Sequence, residues 1–272
     1  MKNRKRKCIY IILILFLIVV RHIICINNGY YTPEYPYKNI SYLLSKETIS
    51  DDEYSEIFKY TGVAPVAAKA MMENNNSDAL KTLNKLYFTE SDYDKNYIFF
   101  PVTFEESSPQ AVPLVPLKKG DVLITFNTAT LDWRHGHTAI VIDNGDTILE
   151  HMSIGHTSCL TPAHRWSSYP GFVVLRHKNQ QISEAAAEYA MNNLVDINYS
   201  IFSGIIDKDK SDNDRISASH CSHIVWQAFK ASGSDIDYNG GQIVTPNDIF
   251  KSREFDIVQI FGINPGKRGF DI

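Results

Sequence analysis

The chain has 272 residues, 44% of them apolar, and a formal net charge of −4. That length fits one globular domain of ordinary size with a smaller appendage. A mild charge of mixed sign excludes the strongly basic character that nucleic-acid binding demands, so no nucleic-acid partner is expected.

In chain order, Lys2, Arg4, Lys5, Arg6 and Lys7 precede an apolar run from Ile9 to Val20, the layout of a secretory leader. Basic residues ahead of such a run keep the amino terminus in the cytoplasm and send the rest outside. The following Arg21-His22-Ile23-Ile24-Cys25-Ile26 lacks a small-x-small cleavage pattern. Residues 1–27 therefore read as a signal peptide or as an uncleaved membrane anchor. On either reading the body of the chain is extracytoplasmic, secreted or held at a membrane through its amino-terminal segment.

Asn27 to Ile40, rich in Tyr, Pro and Asn, reads as a tether. Ser50-Asp51-Asp52-Glu53 is a capping box that opens a helix with Tyr54, Ile57 and Phe58 on one face, ended by Gly62. Pro65 opens a second helix that stops at Asn74-Asn75-Asn76, and Ser77-Asp78 starts a third carrying Leu80, Leu83, Leu86 and Tyr87. Residues 28–110 are thus expected to be tether and helix.

From Gly120 the pattern turns to short β-branched strands: Asp121 to Phe126, His137 to Ile142, Thr147 to Met152 and Phe172 to His177. A helix is expected from about Ser183 to Leu194, then a polar loop (DKDKSDNDR), a helix opened by Cys221, and a last strand FDIVQIFG. The fold class is α+β, an antiparallel sheet packed against the Cys221 helix and preceded by a small helical region. Residues 111–272 form the second unit.

Cys221 carries the chemistry. A thiol in the first turn of a helix feels the positive end of the backbone dipole, which favours the nucleophilic thiolate. Ile224, Val225, Ala228 and Phe229 follow it at helical spacing, so the plain alternative is a small buried residue on that face. A nucleophilic thiol needs a base, and the base needs a third group to fix its tautomer. His137, at the start of its strand after the Gly136 break, is the base candidate.

Asp143-Asn144-Gly145-Asp146 signals a type I′ hairpin. Counting outward, Ile142 faces Thr147, Val141 faces Ile148, Ile140 faces Leu149 and Ala139 faces Glu150. His137, Ala139 and Val141 then share a face with Ile148 and Glu150. Glu150 is the diagonal neighbour of His137, roughly 7 Å away between backbones. His151 falls on the other face beside Thr138 and Ile140, and a one-residue slip would exchange the two.

His135, His137, Glu150, His151 and His156 could instead hold zinc, but Gly136 breaks the strand and that reading leaves Cys221 without a task. No metal or organic cofactor is expected. His220 borders the cleft, His223 lies on the outer helix face, and His164 and His177 read as surface residues. Cys159 reads as an inert thiol in a loop, and Trp133 as either a cleft wall or a packing aromatic. Gly240-Gly241 and Thr245-Pro246-Asn247-Asp248 shape a structural loop.

In this order, GDVLITF, GHTAIVID, ILE, W-x-x-Y-P-G-F-V-V-L-R, CSHIVWQAF and VTPNDI resemble the circularly permuted papain-like cysteine hydrolases. These are the YiiX/YaeF/YycO-like branch related to the NlpC cell-wall hydrolases. The resemblance spans Leu117 to about Gly262. It implies Cys221 as nucleophile, His137 as base and Glu150 as third residue, with substrate in a groove between helix and sheet. It implies attack on an amide or ester carbonyl, most naturally in peptidoglycan peptides. A lipid-directed acyltransferase or esterase and a non-catalytic surface binding module are the competing readings.

Overall fold

The structure is a computed structural model that describes residues 16, 30–91, 93–99, 102–107, 111–130, 133–203 and 218–268. Apart from residue 16, the leader lies outside the described residues, as does the polar loop DKDKSDNDR. Among the described residues, no helix is long and apolar enough to cross a membrane.

Four helices come first: α1 (Ser41–Leu44), α2 (Asp51–Thr61), α3 (Pro65–Glu73) and α4 (Ser77–Leu86). The Ser50 side chain accepts from Glu53 N–H while the Glu53 carboxylate accepts from Ser50 N–H, so both halves of the capping box form. Gly62 ends α2 at φ 71°, where its backbone lies so close to Ile260 that a Cβ would stand 1.9 Å from the Ile260 carbonyl oxygen. The stretch before α1, expected as a tether, is docked. Ile40 is fully buried, and buried Asn84 donates to the Lys38 and Tyr60 carbonyls at 3.1 and 3.0 Å.

Strands β1 (Tyr93–Phe99), β2 (Val102–Ser107), β4 (Thr128–Thr130) and β5 (Trp133–Arg134) form a small sheet in that order. Its first two strands fall where helix and tether were expected. The main sheet adds β3 (Val122–Thr125), β6 (His137–Val141), β7 (Thr147–Glu150), β8 (Cys159–Pro162), β9 (Phe172–His177) and β12 (Phe255–Phe261). Its strand order is β12-β9-β3-β6-β7-β8, and every neighbouring pair is antiparallel. The fold is α+β.

Helix α5 runs Gln180–Asn193, three residues ahead of the expected start, because the Asn179 side chain caps it by accepting from Gln181 and Ile182 N–H. A two-stranded parallel pair, β10 (Asn198–Tyr199) and β11 (Ala218–Ser219), leads into α6 (Cys221–Ala231). Short α7 (Pro246–Lys251) is capped by Thr245 with Asp248, so Thr245-Pro246-Asn247-Asp248, expected to shape a loop, opens a helix instead.

Alternation along the strands feeds two cores. Leu123, Ala139, Val141, Ile148 and Val174 face α1–α4 and Trp166. Val122, Ile124, Ile140, Leu149, Val173 and Leu175 face α5 and α6. The amino-terminal helices therefore cover one side of the sheet and share its core. Every residue of α6 from Cys221 to Phe229 is buried, which makes it a central helix rather than a half-exposed one. His223, expected on its outer face, is 5% exposed, with Nδ1 2.8 Å from Ser219 Oγ and its ring stacked on Trp226. His177, expected at the surface, is buried between Phe229 and Phe255 with Nε2 2.9 Å from Ser234 Oγ.

Candidate functional site

The β6–β7 register matches the outward count: Val141 pairs with Ile148, Ile140 with Leu149 and Ala139 with Glu150. The turn differs. Neither Asn144 nor Gly145 has a positive φ, so it is not type I′. Asp143 instead folds its side chain back, accepting from Gly145 N–H at 2.9 Å and Thr147 N–H at 3.2 Å. This Asx turn closes the loop while Ile142 N–H still donates to the Thr147 carbonyl at 2.9 Å. Loop length sets the register, and length was preserved.

That register puts His137 and Glu150 on one face, and Glu150 Oε2 lies 2.9 Å from His137 Nε2. Both side chains are 3% exposed. Gly136, at φ 78°, makes the bend into β6, where a Cβ would stand 2.9 Å from the Thr125 carbonyl oxygen. The His137 ring stacks on Trp166 at 5.5 Å and meets the edge of Phe104 at 6.2 Å. With Nε2 committed to Glu150, Nδ1 is the ring nitrogen left for Cys221, whose sulfur interacts with this imidazole.

Cys221 is the first residue of α6, with His220 as an extended N-cap and no side chain capping the helix start. Burial pushes the thiol up, but interaction with the His137 and His220 imidazoles overturns that and holds it well below the ordinary thiol value. Burial pulls the His137 imidazole down, while its hydrogen bonds to Cys221 and Glu150 raise it to about 9. Burial likewise pushes Glu150 up, yet the bond from His137 and the contacts from Thr161 and Arg165 leave it below the usual carboxylate range. These directions are mutually consistent. At neutral pH the pair rests as thiolate and imidazolium, with a carboxylate behind the ring.

Glu150 is held from its far side as well. Thr161 Oγ1 donates to Oε1, and Arg165 Nη1 lies 3.5 Å from the same oxygen. Thr161 comes from β8, where Glu150 pairs with Cys159 and Ile148 with Thr161. Cys159 thus sits in the edge strand rather than in a loop. Burial, followed by the nearby Glu150 charge, raises its thiol, the opposite of Cys221. Both cysteines are free. Extending the hairpin count to a third strand would have found Thr161. Trp166 lies in the quoted W-x-x-Y-P-G-F segment, and Phe104 comes from the unforeseen small sheet.

Around the sulfur, the buried His220 imidazole helps hold the Cys221 thiol down. His151 lies beyond the end of β7, wholly buried, with Nε2 3.3 Å from the His156 carbonyl and its ring 4.8 Å from Tyr199. Burial, then the negative sulfur of Cys221, raises the Tyr199 phenol. His164 is exposed and paired with Asp146. The Trp133 side chain lies outside the described residues. His135 turns Nδ1 to the Gly136 carbonyl at 2.7 Å, away from a joint role with His137. Among the described residues, no group of three or more His, Cys, Asp and Glu side chains is placed to hold a metal ion.

No family model matches the chain, and neither a curated protein nor a solved structure does so.

Proposed function

We propose that the chain is an extracytoplasmic cysteine hydrolase that cleaves an amide bond with Cys221 as nucleophile, His137 as acid and base, and Glu150 as orienting carboxylate. The observation that carries this reading is the unbroken line of contacts from the Cys221 sulfur through His137 to Glu150. A buried structural cysteine would have no use for an imidazole whose tautomer is set by a second residue. The permuted papain-like topology named from the sequence motifs is part of the same proposal, as is an extracytoplasmic catalytic domain, secreted or membrane-anchored.

In the acylation step the Cys221 thiolate bonds to the substrate carbonyl carbon, and the carbonyl electron pair moves to oxygen. The Cys221 backbone N–H, at the positive end of α6, is one donor to that oxyanion. Collapse breaks the C–N bond, and His137 gives its Nδ1 proton to the departing amine. A water then gives a proton back to His137 as its oxygen attacks the thioester. The products are a free carboxylate and the regenerated thiolate–imidazolium pair. Glu150 stays ionised throughout and stabilises the charged ring.

Peptidoglycan peptides are the substrates that fit an exported amidase of this design. The test is incubation of purified peptidoglycan with the protein, with products identified by mass spectrometry. New amines and carboxylates in equal amount, absent with Cys221→Ala, support the proposal. Undiminished product with Cys221→Ala overturns it.

A further inference from the structure

Phe104, whose ring meets the His137 imidazole, belongs to β2, so one wall of the base depends on how the small sheet is fixed to the main one. Strand β4 leaves β3 through Phe126-Asn127, and β5 enters β6 through His135-Gly136. Register brings these two joints together. Thr103 pairs with Ala129, which pairs with Arg134, and Phe104 pairs with Thr128. One step on, Glu105 falls opposite Asn127, and its N–H donates to the Asn127 carbonyl at 2.9 Å. Alternation then puts Glu105, Asn127 and Arg134 on one face of the small sheet and Phe104 on the other.

The Glu105 carboxylate holds both joints at once. Its Oε2 accepts from Asn127 Nδ2 at 2.9 Å, and its Oε1 accepts from Arg134 Nη2 at 2.6 Å. Glu105 is 2% exposed, so water and salt screen these bonds far less than a surface pair. Asn127 is tied onward: its N–H donates to Thr125 Oγ1 at 3.1 Å, and that hydroxyl donates to the Gly171 carbonyl at 2.6 Å. Thr125 is the strand partner of His137, and Arg134 stands three residues ahead of it, across the Gly136 bend. Burying an ion pair costs the desolvation of both charges, so stability alone is a weak reason to keep one. What this pair fixes is geometry.

We infer that Glu105 is a positioning residue for His137, clasping both joints between the sheets and so setting Phe104 and the start of β6 against the imidazole. It acts through those two elements rather than on the sulfur. This deepens the hydrolase reading and rests on it, because a ring that exchanges protons with Cys221 has to be held in one orientation.

The test is the pH dependence of Cys221 alkylation by iodoacetamide in the full chain, followed by mass spectrometry from pH 7 to pH 9. In the intact chain the thiolate–imidazolium pair keeps the rate nearly constant. Glu105→Gln has a single amide oxygen and can serve only one joint. Its rate should rise at least about fivefold across the range, toward that of a free thiol of pKa ~8.5. Asn127→Ala frees one joint, leaves the ion pair and should rise less steeply. Asp121→Asn is the control for stability. It breaks another buried pair, in which Arg176 donates to Asp121 at 2.8 and 2.7 Å just ahead of β3, at the end of that strand away from Thr125. Its denaturation midpoint in urea should fall while its rate stays constant with pH. A constant rate in folded Glu105→Gln overturns the inference and leaves the hydrolase reading in place. Should that variant not fold, a constant rate in Asn127→Ala overturns it instead. An equal rise in Asp121→Asn also overturns it, since lost stability would then account for both. A rise of this size already in the intact chain overturns both readings.

Discussion

Glu150 Oε2 stands 2.9 Å from His137 Nε2, and that one contact decides which ring nitrogen faces Cys221. The carboxylate accepts the Nε2 proton, so Nδ1 is left to exchange protons with the sulfur. Replacing Glu150 by Gln keeps the shape but removes the charge behind the ring. The kcat/KM should fall by up to about 10⁴-fold. Its alkaline limb should move down from near 9, because one of the contacts that raises His137 has gone. A pH–rate profile checks both. Thr161→Val removes only the hydroxyl that donates to Oε1, so about a tenfold loss is expected, from one charge-assisted hydrogen bond worth ~1.5 kcal/mol.

The thiolate–imidazolium pair predicts an unusual alkylation profile. The thiol is depressed, so thiolate is lost only when pH falls through that lowered value. The imidazole is raised to about 9, so its proton is kept until pH climbs past there. Iodoacetamide should modify Cys221 at a nearly constant rate across pH 7–9, a range taken from those shifts. Cys159, pushed up instead, should react slowly and ever faster above that range. Peptide mapping by mass spectrometry distinguishes the two. A Cys221 rate that rises with pH like a free thiol would contradict the ion pair.

His137→Ala should abolish the selectivity of an electrophilic amide-mimicking probe for Cys221 over Cys159. Turnover should drop by roughly 10⁴-fold, the scale seen when a nucleophile loses its base. Quantitative labelling of both cysteines in the variant and the intact chain provides the measurement.

Trp166 is 1% exposed, stacks on His137 and contacts Tyr169. Trp166→Ala opens a cavity in the first core and should cost about 3–5 kcal/mol. It should show as a lower denaturation midpoint in urea. Trp166→Phe keeps an aromatic face against the imidazole and should recover most of both stability and activity.

His151 gives a stability test with a definite sign. Its folded pKa, about 4, lies below that of an unfolded histidine near 6.5, so the unfolded chain binds the proton more readily. Stability attributable to this ring is therefore full above about 6.5, declines as pH falls, and is lost by about 4. In His151→Asn that part of the acid sensitivity should vanish. Melting temperatures of both proteins measured between pH 7 and pH 4 should converge at the acid end. Parallel curves would show that folding leaves the His151 pKa unchanged.

Much of the site was legible because its parts are local in sequence. The hairpin count from Asp143 to Asp146 puts Glu150 diagonal to His137 from loop length alone, and the Asx turn that replaced type I′ left that count intact. What misled was burial. Cys159 looks like a loop residue and His177 and His223 like surface residues from local pattern, yet a third strand takes the first, and Ser234 and Ser219 hold the other two inside. The second sheet was hidden for the same reason. Tyr93–Phe99 pairs with Val102–Ser107, which pairs in turn with Thr128–Thr130, a partner more than twenty residues on.

By itself the order of residues determined where the chain turns, which strand faces alternate, and that one thiol begins a helix. Those properties come from dihedral preferences and periodicity, which act over a few residues. Only packing in three dimensions carried a sulfur from position 221 to an imidazole at position 137 and removed water from both. The ionisation of that couple depends on desolvation and on charges brought in from other strands, and neither exists until the chain has closed on itself.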